Sequence, residues 1–217
     1  MAGNAAGTTQ LQREDALWRS WRSGTGCRLL FIARPSDAVR GAIEQSLASH
    51  RDAGLLGRNA FPAENWHQSL SERYIDTPEL REILLRAGAM LRTPTFTLQL
   101  DAIRCSGNDR GSIQWEVRSR GRSRELTALI AEINAVLVSC GLPPGGGHSP
   151  HITVHYAAKA MLPREQAITP VNWIIDAVEL VMGGGSPYRY TTLGRWKLAP
   201  ELPRPLQVDL FRVSSAV

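Results

Sequence analysis

The sequence predicts an α+β fold built as two similar halves. Three observations carry this. Three amphipathic helical segments are interleaved with short, β-branched runs. Their order is strand–helix–strand–helix–strand, then strand–helix–strand–strand–strand. Each half also places, after a long helix, a short run of the form His-x-(Ser/Thr)-apolar: His67-Gln68-Ser69-Leu70 and His151-Ile152-Thr153-Val154.

The helices are legible from their stripes and caps. Residues 36–50 open with Ser36 and Asp37 as cap candidates, and Val39, Ile43 and Leu47 recur at a spacing of four. Residues 77–91 open with Thr77-Pro78, a cap followed by proline at the first helical position. Leu80, Ile83, Leu84, Ala87 and Leu91 form the stripe. Residues 123–140 begin at Ser123 with Glu125 in the first turn, carry Leu126, Leu129, Ile130, Ile133 and Leu137 on one face, and stop at Gly141. The strand-like runs are 28–33, 66–70, 95–103, 111–117, 151–156, 172–181 and 188–198. Gly107-Asn108, Gly145-Gly146-Gly147 and Gly183-Gly184-Gly185 separate them. The last of these lacks the strand–GxxxxGK–helix setting of a nucleotide-binding loop and reads as a hairpin turn.

The chain has 217 residues, 43% of them hydrophobic and 21% charged, enough to bury a sizeable core. The expected organisation is a flexible arm over 1–27, one folded unit of two lobes over 28–198 and a tail over 199–217. The net charge of +5 points weakly to an anionic partner. Lys159 and Lys197 are the only lysines, so arginine supplies nearly all the positive charge. The guanidinium fork suits phosphate. Cys27, Cys105 and Cys140 are odd in number and lack CxxC spacing, which argues against a disulfide framework or a cysteine zinc site. No apolar run approaches a membrane span, and the N-terminal residues lack the apolar segment of a secretory signal. A cytoplasmic protein with no membrane partner is expected.

The two His-x-(Ser/Thr) runs lie 84 residues apart. On a strand, residues i and i+2 share a face. His67 would therefore project with Ser69, and His151 with Thr153, while Ile152 and Val154 pack behind. Side by side, the strands offer two imidazoles and two hydroxyls around one cleft. That set suffices for phosphodiester cleavage without a metal. One imidazole takes a proton from water, the other gives one to the leaving oxygen, and the hydroxyls hold the phosphate oxygens. His151 and His155 would share one face of a helix and grip one zinc. On a strand they stand roughly 13 Å apart, too far for one ion. The Ile-Thr-Val between them favours strand, so neither a metal nor another cofactor is expected.

These two motifs resemble the signature of the 2H phosphoesterase superfamily, and within it the 2′-5′ RNA ligase/RNA 2′,3′-cyclic phosphodiesterase (LigT-like) group. The flanking runs agree. LLFIARPSDAVRGAI is similar to that group's opening strand and helix, PAENWHQSL to its first motif, and CGLPPGGGHSPHITV to its second. VNWIIDAVELV and YRYTTLGRWKL are similar to its closing strands. The resemblance spans about residues 28–198. It implies a bilobal, pseudo-twofold α+β fold with two antiparallel-rich sheets facing a central cleft and helices outside. It also implies metal-independent hydrolysis of 2′,3′-cyclic phosphate ends of RNA or nucleotides to 2′-phosphates. His151 would then be the base, His67 the acid, and Ser69 and Thr153 the phosphate ligands. Alternatives are 2′,5′-phosphodiester hydrolysis or 2′-5′ ligation, or an RNA-end binder without catalysis. No obligate protein partner is implied.

This chain departs from the group in two places. Ser69 stands where threonine is commoner. The loop before the second motif, and the residues just after it, lack the group's basic side chains and carry His148 and His155 instead. His155 continues the face of His151 and Thr153, so it either lines the cleft rim or ends the strand exposed, the exposed position being favoured. His148 reads first as a solvated loop residue and second as a cleft-lining one. Tyr188, Tyr190 and Trp196 read as packed strand aromatics, with Tyr190 a candidate to line the cleft by stacking. Trp66 and Trp115 belong to the core. RSRGRSR (118–124) reads as a solvated turn before a helix.

Overall fold

The structure, a computed structural model, describes residues 26–56, 61–107, 112–146 and 148–200. Nearly all of the expected arm and tail, together with Asn108 and Gly147, lie outside the described residues. The elements run β1 (Arg28–Ala33), α1 (Asp37–Ala48), β2 (Gln68–Ser69), β3 (Tyr74–Ile75), α2 (Pro78–Ala89), β4 (Phe96–Gly107) and β5 (Ile113–Arg118). There follow α3 (Arg124–Ser139), β6 (His151–His155), β7 (Gln166–Ile175), β8 (Ala177–Gly184) and β9 (Arg189–Lys197). Each helix starts where its cap was expected. The hydroxyl oxygens of Ser36, Thr77 and Ser123 accept the N–H of Val39, Leu80 and Leu126, satisfying donors that the first turn leaves open.

The strands form two sheets, one ordered β2-β1-β8-β9 with β3 also on β1, the other β6-β5-β4-β7. Every pairing between them is antiparallel. The expected α+β architecture of two antiparallel sheets holds, with corrections to the strands: β3 lies outside every expected run and β7 begins at Gln166. The run 172–181 is not a single strand. It breaks at Asp176, with β7 in one sheet and β8 in the other. Apolar alternation reads straight through because a single residue makes the crossing. Aspartate is a poor strand former, and its carbonyl accepts the Leu198 N–H at 2.8 Å. The two sheets are therefore not successive halves of the chain. The first takes β1–β3 from the beginning and β8–β9 from the end.

The helix stripes close on one core. Ile43 and Leu47 of α1, Leu80, Leu84 and Ala87 of α2, and Leu126, Leu129, Ile130, Ile133 and Leu137 of α3 join Leu29, Phe31, Leu98, Leu100, Trp115 and Val117. Trp66 and Trp115 are buried there, as expected. Leu30, Ile32 and Val181 form a separate cluster with Tyr190 packed against it. These residues alternate with Leu29, Phe31 and Leu180, so they mark the other face of the first sheet.

Trp196 of β9 locks α2 to the first sheet. Its ring lies over Gly88 of α2 and Gly194 of β9, where a Cβ would come within 2.4 and 2.6 Å of ring carbons. Both positions thus need glycine for space rather than for backbone freedom. Alanine normally gains about 1 kcal/mol over glycine inside a helix. Here overpacking costs about 1–3 kcal/mol and wins. Gly88→Ala is expected to lower the melting temperature, read by circular dichroism. An unchanged or raised value would show that the ring moves aside freely.

Candidate active site

Each motif sits on a short edge strand, β2 on β1 and β6 on β5. The register fixes which side chains share a face. Ser69 pairs with Ile32 and Ile32 with Glu179, so Ser69 lies on the Leu30–Ile32–Val181 side. His67, two residues before Ser69, shares that side and meets the Tyr190 ring edge-on at 4.8 Å. Gly183, opposite Tyr190, leaves the space that the Tyr188 and Tyr190 rings fill. On the second sheet, His151 pairs with Arg118 and Thr153 with Glu116, so both project with those polar side chains. Ile152 and Val154 are buried behind, as the alternation predicted.

The two histidines are held by the same device. His67 Nδ1 lies 2.8 Å from the Asn65 carbonyl and His151 Nδ1 lies 2.9 Å from the Ser149 carbonyl, in each case two residues upstream. A carbonyl only accepts, so each Nδ1 carries the proton and donates it. In the neutral ring, Nε2 is then free to accept.

A cavity of about 620 Å³ lies between the motifs, lined by Arg28, Ser69, Ser71, Glu72, Arg73, His148 and His151. His67 lies close enough to feel the charge of His151, Arg73 and Arg34. Burial, reinforced by those cations, holds its pKa down at about 4 against the pull of the Asn65 carbonyl. His67 is thus neutral at pH 7. Burial also pushes the Tyr190 hydroxyl up, keeping it protonated.

His148 differs from the expectation of a solvated loop residue. It is half-buried and lines the cavity, its Nε2 enclosed without a hydrogen-bond partner. Burial lowers its pKa, partly offset by Glu72. The glycine loop before it packs on Glu72, whose Oε1 accepts the Gly146 N–H at 3.0 Å, while Asn134 Oδ1 accepts that of Gly145 at 3.0 Å. A Cβ at Gly145 would approach Glu72 Cγ to 3.0 Å.

His155 is the clear correction. It is fully buried, neither exposed nor on the cleft face. The β5–β6 register slips between Trp115 and Glu116: Trp115 pairs with His155 but Glu116 pairs with Thr153. The extra residue, Val154, makes a β-bulge. His155 is thereby turned to the Trp115 side, where its Nδ1 accepts the Ala157 N–H at 2.9 Å.

Two contributors were missed in the sequence. Gln68, between His67 and Ser69, is fully buried and bonds across to the second motif. Its signal was available, since a polar residue stands where the second motif has Ile152. Arg73 lowers the pKa of both His67 and His148 and supplies the cavity with a cation. Only its charge, four residues after Ser69, hinted at this. In the arginine-rich run, Arg118 pairs with Glu165 at 3.4 Å and Arg120 with Asp101 at 3.4 Å. Among the described residues, no three His, Cys, Asp or Glu side chains gather as a metal-holding group, and no helix is long and apolar enough to cross a membrane.

No family model and no curated protein matches the chain. Solved structures do. A protein described as a phosphoesterase superposes with a TM-score of 0.64 at 23% identity, over 80% of this chain and 99% of its own. Apo LigT of E. coli superposes with a TM-score of 0.61 at 26% identity, over 79% of this chain and 97% of its own. LigT complexed with 3′-AMP gives 0.62 at 23%, over 80% and 98%, and LigT has also been solved with phosphate. The protein thus carries the α+β fold of the LigT-like 2H phosphoesterases.

Proposed function

We propose that the protein is a metal-independent phosphodiesterase that opens 2′,3′-cyclic phosphates at the ends of RNA or nucleotides and leaves 2′-phosphates. The observation that carries this reading is a pair of imidazoles held alike, His151 lining the cavity and His67 buried near enough to feel its charge. Each Nδ1 is committed to the carbonyl two residues upstream, and each Nε2 remains for proton transfer. The LigT structures with phosphate and 3′-AMP support a phosphate-bearing nucleotide as ligand.

In this reading the phosphate anion sits by the Ser69 hydroxyl and Arg73 in the cavity, with Thr153 supplying a second hydroxyl from the His151 face of β6. Water attacks phosphorus as the P–O3′ bond breaks. One neutral imidazole takes the water proton and one imidazolium gives a proton to O3′. His67, buried beside two arginines and neutral at pH 7, suits the acceptor. His151, the less buried ring, then suits the donor. This reverses the roles that the family resemblance implies. An aryl phosphodiester decides between them, because its leaving group needs no proton. On it, His151→Ala should keep far more activity than His67→Ala. The opposite ranking would restore the implied roles.

On a 2′,3′-cyclic nucleotide, His67→Ala and His151→Ala are each expected to lower kcat by roughly 10²–10⁴, with wild-type turnover unchanged by EDTA. A panel of cyclic nucleotides, cyclic-ended RNA and 2′,5′-linked dinucleotides, with product termini identified, tests the substrate. Cleavage of the 2′,5′ linkage alone, or turnover lost on chelation, would overturn the proposal.

Burial of neutral His67 also has a signature in stability. The unfolded chain takes up the proton near pH 6.5, the folded chain only near pH 4. Stability is therefore lost as pH falls between these values. The loss at His67 is about 2–3 kcal/mol. Urea unfolding at pH 7 and pH 4.5 should show a smaller difference for His67→Gln than for the wild type. An equal difference would place the pKa of His67 in its ordinary range.

A further inference from the structure

The two motifs differ at their middle residue, Gln68 in one and Ile152 in the other. Both are fully buried. An apolar side chain needs nothing there, but a primary amide brings one acceptor and two donors that must be met. Gln68 meets all three. Its Nε2 donates to its neighbour Ser69's carbonyl at 2.8 Å and to the Ser149 carbonyl at 3.1 Å, while its Oε1 accepts the His151 N–H at 2.7 Å. One of these partners, His151, starts the other motif on the other sheet, and Ser149 lies two residues before it.

The Ser149 carbonyl is also the group to which His151 Nδ1 donates. One oxygen thus takes the imidazole on one lone pair and the Gln68 amide on the other. Ser149 Oγ, 3.3 Å from the same Nδ1, offers a competing arrangement. If that hydroxyl donates to Nδ1, the ring proton moves to Nε2, the atom meant to face substrate. Holding the carbonyl in place favours the Nδ1–H form. We propose that Gln68 is the positioning residue for His151. From the first motif, it fixes the orientation and tautomer of the second motif's histidine and keeps the two sheets in register. The catalytic consequence rests on the proposed proton-transfer role of His151; the tautomer and the bridge do not.

The test is ¹⁵N-histidine NMR together with kinetics. In the wild type, the neutral form of the His151 ring should show a protonated Nδ1 and a bare Nε2. Gln68→Met keeps the shape and removes the bonds. It should give a tautomer mixture and lower kcat by roughly 10²-fold with KM nearly unchanged. Gln68→Glu retains the acceptor for the His151 N–H but sets a carboxylate oxygen against two carbonyls. Its activity relative to wild type should rise as pH falls, because the protonated acid donates to Ser149 again. A Gln68→Met protein with wild-type kcat and a single Nδ1–H tautomer would overturn the proposal. Should that variant not fold, hydrogen exchange in the wild type decides, since rapid exchange of both the Gln68 side-chain amide and the His151 N–H would equally overturn it. A wild type inactive on every substrate would sink the functional reading alone, and the NMR result would still judge Gln68.

Discussion

The structure depends on one covalent constraint: the chain crosses from one sheet to the other at Asp176 without a loop. β8 is the strand that joins β1 to β9, and it is reached only after all four strands of the second sheet. Before it arrives, β1 has only the two-residue strands β2 and β3 beside it. Such an edge holds few ladder bonds and little apolar area. The first lobe is therefore completed only by strands that follow the whole of the second sheet. A second tie reinforces the crossing. Ala199 donates its N–H to the Thr93 carbonyl at 3.2 Å and accepts the Thr95 N–H at 2.7 Å.

From that frame comes a site whose halves are alike in plan and unlike in environment. The i−2 carbonyl holds both imidazoles, so each motif encodes its own orientation. Burial then separates them. His67 lies under Tyr190 beside Arg34 and Arg73, whereas His151 stays nearer solvent at the cavity. Arg34 itself is drawn aside by buried Glu179 at 3.1 Å and donates to the Glu64 carbonyl at 2.8 Å. Arg73, at the cavity wall, is better placed to meet an anion. The low proton affinity of His67 thus comes from its surroundings rather than from the way its motif holds the ring.

Much of this was legible in the sequence because it is local. The capping residues, helical stripes and i, i+2 alternation each depend on neighbours within a few positions, and those expectations match the structure except at His155, where the bulge breaks the alternation. The strand through 172–181 failed because periodicity reports which way side chains point, not which sheet they join. His148 was misjudged because the groups it meets, the Ser71 backbone and the Glu72 carboxylate, lie more than seventy residues away in sequence. Arg73 was missed for the same reason, since only folding brings it to both histidines. Gln68 is the exception. A polar residue at an inward strand position announces a buried network, and only its partners had to wait for the fold.

The bulge at Val154 has a consequence for how such motifs should be counted. By alternation alone, a histidine four residues after another on a strand enlarges the reactive face. Here one inserted residue makes it part of the hydrophobic interior instead. The number of imidazoles available to a ligand is thus set by backbone parity rather than by composition. Only a strand straightened with Val154 kept in regular pairing would turn a further ring to the cleft face, so the bulge acts as a silent limit on the protein's chemistry.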